Sequence, residues 1–134
     1  MGGRRIWRVL LIDDDAAFLQ QMQTAFRKAG YLVETAPNGA RALERYEAEP
    51  ADLVVTDIFM PERDGLETIM ALARVTPTPQ IVAIDGEPPL GGQDWLEVAR
   101  RMGAAATLRK PFELDDLLDT AAWLLETDPD EPTA

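Results

Sequence analysis

Three short apolar runs stand out along the chain, each followed by turn residues. They are Trp7–Ile12 (Trp-Arg-Val-Leu-Leu-Ile), Leu53–Thr56 (Leu-Val-Val-Thr) and Gln80–Ile84 (Gln-Ile-Val-Ala-Ile). Runs this short and this apolar suit strands buried on both faces, as in a parallel sheet. Leu32–Ala36 and Ala106–Leu108 are two weaker strand candidates. Between the runs, apolar residues recur at helical spacing. Phe18, Met22, Ala25, Phe26 and Ala29 mark a first helix, which Gly30 is placed to end. Ala40, Leu43 and Tyr46 mark a second, stopped by Pro50, and Leu66, Ile69, Met70 and Ala73 a third, ended near Pro77. Trp95, Val98, Ala99 and Met102 mark a fourth, closed by Gly103, and Leu114, Leu117, Leu118, Ala121 and Leu125 a fifth. A strand–helix unit repeated five times predicts an α/β fold: a doubly wound, five-stranded parallel sheet in a three-layer (βα)5 sandwich.

Length and composition bound this picture. At 134 residues, the chain predicts one domain with a real core. Residues 7–126 are expected to form it, after an N-terminal extension (1–6) and before an acidic, disordered tail (127–134). Apolar residues make up 46% of the chain, as in a globular protein. Lys and Arg number 13 against 24 Asp and Glu, a net charge of −11, which argues against a nucleic-acid partner. There is no Cys and no His, so disulfides, thiol or Ser-His catalysis and soft metals are excluded, and any metal must be a hard, oxygen-bound ion such as Mg²⁺. No apolar run approaches the roughly 18 residues of a membrane span. The basic start Met1–Arg5 does not lead into a signal peptide, and Ile6 stands where a myristoylation motif on Gly2 wants Ser or Thr. The expectation is a cytoplasmic protein with no membrane partner.

Ligands of a parallel sheet bind at the carboxyl ends of its strands, and those ends carry a distinctive set of charges. The first strand runs into Asp13-Asp14-Asp15, the third into Asp57, the fourth into Asp85 and the fifth into Lys110-Pro111. Asp15, just before the helix starting near Ala16, reads as an N-cap. The other acids come from three separate strands and converge on one rim, with one of only two lysines in the chain, Lys28 and Lys110. Clustered carboxylates repel one another and call for a cation. A carboxylate, a hard divalent ion and a lysine together make a site for phosphoryl transfer onto the carboxylate.

Here the sequence resembles the response-regulator receiver family of two-component signalling. Four signatures between about Arg8 and Glu126 carry the resemblance: Leu11–Asp15, Asp52–Gly65 with its Thr56-Asp57-Ile58-Phe59-Met60-Pro61 centre, Gln80–Ile84, and Lys110-Pro111-Phe112. The resemblance implies a flavodoxin-like fold and a single-domain, stand-alone receiver in a phosphorelay. Asp57 would be the phospho-acceptor. Asp13, Asp14, Asp57 and the backbone carbonyl of Phe59 would hold Mg²⁺, and Lys110 would contact the phosphoryl group. The Lys110–Pro111 bond would be cis, and Gly65 would allow the tight loop into the third helix. The implied partners are a histidine kinase or phosphotransfer protein and a downstream protein. The chain would be a phospho-acceptor, not an enzyme acting on a separate substrate.

Two positions depart from the family pattern. Asp85 replaces the Ser or Thr that ends the fourth strand, and Thr107 replaces the aromatic three residues before the lysine. An ionised Asp85 cannot donate a hydrogen bond, and at 4–5 Å from a phosphoryl group its repulsion would cost about 3–4 kcal/mol before relaxation. Three placements of Asp85 are open: paired with Lys110, swung outward, or joined to the metal site. Phosphorylation of Asp57 is expected to be slower, or less coupled to output, than in a usual receiver. The alternative function is a pseudo-receiver, a phosphorylation-independent interaction module. A phosphatase using Asp13 and Asp15 is set aside, because its later paired acids are missing.

Output would pass by protein contact. Trp123 falls about 180° from Leu114 on the fifth helix and is a candidate partner surface. Trp95 is a second candidate, although it sits on the apolar stripe of the fourth helix and reads first as core. The acid-and-arginine dimer contacts of some family members are absent, with Ala105 and Ala106 before the fifth strand and no Arg between Glu113 and Glu126. A monomer or weak dimer is expected. The Pro- and Gly-rich loop Asp85–Gly92 predicts an irregular connector beside the site.

Overall fold

The computed structural model describes residues 5–60, 65–86 and 93–126. The tail at 127–134, most of the loop after Asp85 (87–92), the first four residues and positions 61–64 of the Asp57 signature lie outside the described residues. The elements alternate as the hydrophobic pattern predicts: β1 (Arg8–Ile12), α1 (Ala16–Lys28), β2 (Leu32–Ala36), α2 (Gly39–Ala48), β3 (Leu53–Asp57), α3 (Gly65–Leu72), β4 (Gln80–Asp85), α4 (Trp95–Met102), β5 (Ala106–Arg109) and α5 (Leu114–Glu126). The strands form one sheet in the order β2-β1-β3-β4-β5, with every pairing parallel.

Alternation along the strands builds the three layers. Leu10 and Ile12 of β1, Val54 of β3, and Ile81 and Ala83 of β4 face α2, α3 and α4, where Ala42, Tyr46, Ile69, Leu72, Leu96 and Ala99 close the core. Their neighbours Val9, Leu11, Leu53, Val55, Val82 and Ile84 face α1 and α5, against Met22, Phe26, Leu117, Ala121, Leu124 and Leu125. Strands β1, β3 and β4 are apolar on both sides because both sides are covered, which is why their sequences do not alternate with polar residues.

The helix ends follow local chemistry. Asp15 caps α1 by accepting from the Ala17 and Phe18 N–H groups, and Asp94 caps α4 by accepting from Leu96 N–H. Gly30 and Gly103 end α1 and α4 with φ of 99° and 131°, the left-handed region that favours glycine. Helix α3 stops at Leu72, five residues short of the expected Pro77. The Arg74 and Val75 N–H groups turn to carbonyls only three residues back, and β-branched Val75 and Thr76 lead into a proline that disfavours helix before it. Two X–Pro bonds are cis, the expected Lys110–Pro111 and an unforeseen Thr76–Pro77.

Candidate functional site

Asp13 follows β1 directly and is 1% exposed. Its Oδ1 accepts from the Asp15 N–H at 2.9 Å, while Oδ2 is buried with no hydrogen-bond partner. Asp14 faces outward. Asp57 is the last residue of the central strand β3, and its Oδ1 accepts from the Phe59 N–H at 3.4 Å. One carboxylate oxygen from each of Asp13, Asp14 and Asp57 lies within 4.8 Å of the others. Lys110, just past the edge strand β5, reaches back with Nζ 3.6 Å from Asp13 Oδ2 and 3.8 Å from Asp57 Oδ2. The same ammonium sits over the Phe18 ring, 4.5 Å from its centroid, and Phe112 packs edge-on against Phe18.

Burial and crowding set the electrostatics. Desolvation, and then the neighbouring Asp13 charge, push the Asp57 carboxyl up to about 6 despite Lys110 and the Phe59 N–H. Desolvation also raises Asp13, against the Asp15 N–H and Lys110. Carboxylates that hold protons this readily lack sufficient countercharge. Asp13 Oδ2, buried without a hydrogen-bond partner, and the all-oxygen donor set fit a hard divalent cation, so the residues present suit the metal that the sequence implies.

Gly65 is needed here for space rather than for an unusual backbone angle. Its N–H donates to the Ile58 carbonyl at 2.5 Å. A Cβ at this position would overlap the Asp57 carbonyl oxygen and lie 2.6 Å from Ile58 Cα. The start of α3 is therefore clamped onto the end of β3.

Asp85 corrects the expectations made for it. It is 1% exposed, so it has not swung outward. The carboxylates at metal-ligating spacing among the described residues are those of Asp13, Asp14 and Asp57, so Asp85 has not joined them. Nor does the expected Lys110 pairing describe it, because the Lys110 ammonium lies against Asp13 and Asp57. Asp85 stands opposite Arg109 on β5, with Arg109 Nη1 3.9 Å from its Oδ2. The other terminal nitrogen of Arg109 donates to Asp94 Oδ1 at 3.0 Å, the same oxygen that caps α4. At the second atypical position, the Thr107 hydroxyl accepts from Arg100 Nη2 at 2.8 Å. Arg109, Arg100 and Phe18 are site neighbours that the sequence reading missed. A cross-strand arginine carries no signal along the chain, and Phe18 was absorbed into the core stripe of α1.

Trp95 is half-buried against the α2–α4 core, its ring edge-on to that of Phe59 at 5.7 Å. It belongs to the wall beside the acidic rim. Trp123 is 63% exposed on the outer face of α5, where the helical wheel places it.

An acidic cluster with one lysine, at the carboxyl edge of a flavodoxin-like parallel sheet, defines a two-component signalling domain. The chain belongs to the response regulator receiver domain family, whose model matches residues 9–122. It is 38% identical over 118 residues to the response regulator receiver protein CpdR of Brucella abortus, covering 88% of this chain and 96% of that protein. It is 35% identical over 112 residues to the chemotaxis protein CheY of Bacillus subtilis, covering 82% and 91%. Among solved structures, a CheY-like receiver domain protein from Methanospirillum hungatei superposes with a TM-score of 0.82 at 28% identity, covering 91% of this chain and 95% of the other. Chemotaxis protein CheY4 of Vibrio cholerae superposes at 0.79 with 27% identity, covering 89% and 98%. Among the described residues, no helix is long and apolar enough to cross a membrane.

Proposed function

We propose that this receiver accepts a phosphoryl group on Asp57 in a Mg²⁺-dependent reaction, from a histidine kinase or phosphotransfer protein in the cytoplasm, and passes the signal on by protein contact. It acts as a phospho-acceptor rather than as an enzyme on a separate substrate. The observation that carries this reading is the convergence of Asp13, Asp14 and Asp57 within 4.8 Å, with Lys110 Nζ 3.8 Å from the acceptor carboxylate. Asp13, Asp14, Asp57 and the Phe59 carbonyl would hold Mg²⁺, which when bound neutralises the acids and the incoming phosphoryl oxygens. An Asp57 oxygen is the nucleophile, and it must be ionised to attack. Lys110 is placed to hold a phosphoryl oxygen as a point charge, and the Phe18 ring beneath it keeps the ammonium in place. The 134 residues hold no His, and the donor in this reading is the histidine of the kinase or phosphotransfer protein.

Incubation with acetyl phosphate and Mg²⁺, followed by intact mass measurement, tests the proposal. The wild type gains one phosphoryl group, and Asp57→Asn or omission of Mg²⁺ abolishes the gain. A wild type that stays unmodified in saturating Mg²⁺ overturns it. The pseudo-receiver reading draws support from the buried Asp85 carboxylate and the replaced aromatic at Thr107. A protein that leaves its NMR spectrum unchanged on addition of Mg²⁺ and beryllofluoride would favour that reading.

A further inference from the structure

Asp85 is the acid that the phospho-acceptor reading does not use. The backbone places it close to the chemistry: Ile84 pairs with Asp57 across β3 and β4, and Ile58 N–H donates to the Ile84 carbonyl, so Asp85 is one residue past the acceptor on the adjoining strand. Its side chain is 2% exposed and has little water to screen it, so an ionised carboxylate there repels a phosphoryl dianion arriving at Asp57. Arg109 supplies a fixed positive charge opposite it. The guanidinium fork spans two acids, with Nη1 toward Asp85 and Nη2 bonded to Asp94, and the Asp94 bond limits where the fork can go. Asp94 has a 46% exposed side chain and can rely on water. Asp85 cannot.

We propose that Arg109 is a positioning residue for phosphoryl acceptance: its charge, 3.9 Å away, offsets that of the Asp85 carboxylate, so that an acid can occupy this strand end without repelling the phosphoryl group from Asp57. The proposal rests on the phospho-acceptor reading of Asp57. It makes Arg109 matter only through Asp85, so the loss caused by removing the arginine must disappear when the acid is removed too.

The test follows the rate of modification by acetyl phosphate in saturating Mg²⁺. In that reaction an Asp57 carboxylate oxygen bonds to phosphorus, the bond from phosphorus to the acetyl oxygen breaks, and acetate leaves. Arg109→Gln is expected to slow the reaction on the order of ten- to a hundredfold, while Arg109→Lys, which keeps the charge, stays within about threefold of wild type. Asp85→Asn is expected to react at least as fast as wild type, and Asp85→Asn/Arg109→Gln at the rate of Asp85→Asn. An Arg109→Gln protein as fast as wild type, or a double variant as slow as Arg109→Gln, overturns the proposal. If Arg109→Gln does not fold, the comparison moves to the acid-free background, where a double variant markedly slower than Asp85→Asn overturns it and equal rates support it. Wild type and Asp85→Asn both inert toward acetyl phosphate overturn the phospho-acceptor reading and this proposal with it. An active wild type with an unaffected Arg109→Gln overturns only the role of Arg109.

Discussion

The two ends of the sheet treat the same residue type in opposite ways. At the amino end, Asp52 just before β3 accepts from the Arg8 N–H at 2.8 Å and from Arg5 Nη2 at 3.1 Å, and Glu49 pairs with Arg8 at 2.9 Å. Every one of these contacts is at hydrogen-bonding distance. At the carboxyl end, Asp13 and Asp57 share one lysine at 3.6 and 3.8 Å, too far for a hydrogen bond, and both carboxyls are pushed up by burial. Among the described residues, each end leaves one buried side-chain atom without a hydrogen-bond partner, Arg8 Nε and Asp13 Oδ2. The arginine's N–H is bonded to Asp52 and its Nη2 pairs with Glu49, whereas the Asp13 carboxylate sits among further acids. One end pairs its acids at hydrogen-bonding distance, and the other leaves its acids short of countercharge.

The largest test of that contrast is pH. Asp57 ionises near 3.8 when unfolded and at about 6 when folded. Below pH 3.8 both states hold the proton and nothing is lost. Between about pH 4 and 6 the folded state binds more protons, so metal-free stability falls as pH rises, by at most about 3 kcal/mol from this residue, and the penalty stays in place above that. Thermal melts across this range should show the decline without metal, and Mg²⁺ should reverse it at pH 7 by favouring the ionised cluster. Equal melting curves with and without Mg²⁺ at pH 7 would erase the distinction between the two ends.

A smaller effect is expected at the amino end. Asp52→Ala leaves the Arg8 N–H and Arg5 without their acceptor and should cost about 1–2 kcal/mol in a denaturant titration. Its rate of modification by acetyl phosphate should match wild type, and a slowed rate would mean that the two ends are coupled. The smallest effect is at Phe18. Replacing it with Leu keeps an apolar packing partner for Phe112 but removes the ring face under Lys110, worth about 0.5–1 kcal/mol. Modification should slow by roughly two- to fivefold and recover in Phe18→Tyr.

Much of this was legible in the sequence, for a physical reason. Strands covered on both faces are apolar at nearly every position, so Leu53–Thr56 and Gln80–Ile84 announce themselves, and the rule that sites lie at the carboxyl ends of parallel strands then gathers Asp13, Asp57 and Lys110. What stayed hidden depends on side-chain reach across the fold. Arg109 lies beside Asp85 through strand pairing, twenty-four residues along the chain. Gly65 reads as a turn glycine until the Asp57 carbonyl is seen against it. The end of α3 is set by competing turns that a distant proline marks only loosely.

The three tryptophans give the protein built-in optical reporters. Trp7 lies under the Arg5 guanidinium, 3.8 Å from its ring centroid, at the amino end. Trp95 touches Phe59, two residues beyond Asp57, and Trp123 is largely exposed on α5. A soluble quencher reaches Trp123 first, and what remains is weighted toward the two half-buried indoles. Of those two, Trp95 packs against Phe59, two residues beyond Asp57, so under the proposed function its emission is expected to report cation or phosphoryl binding in the unlabelled protein.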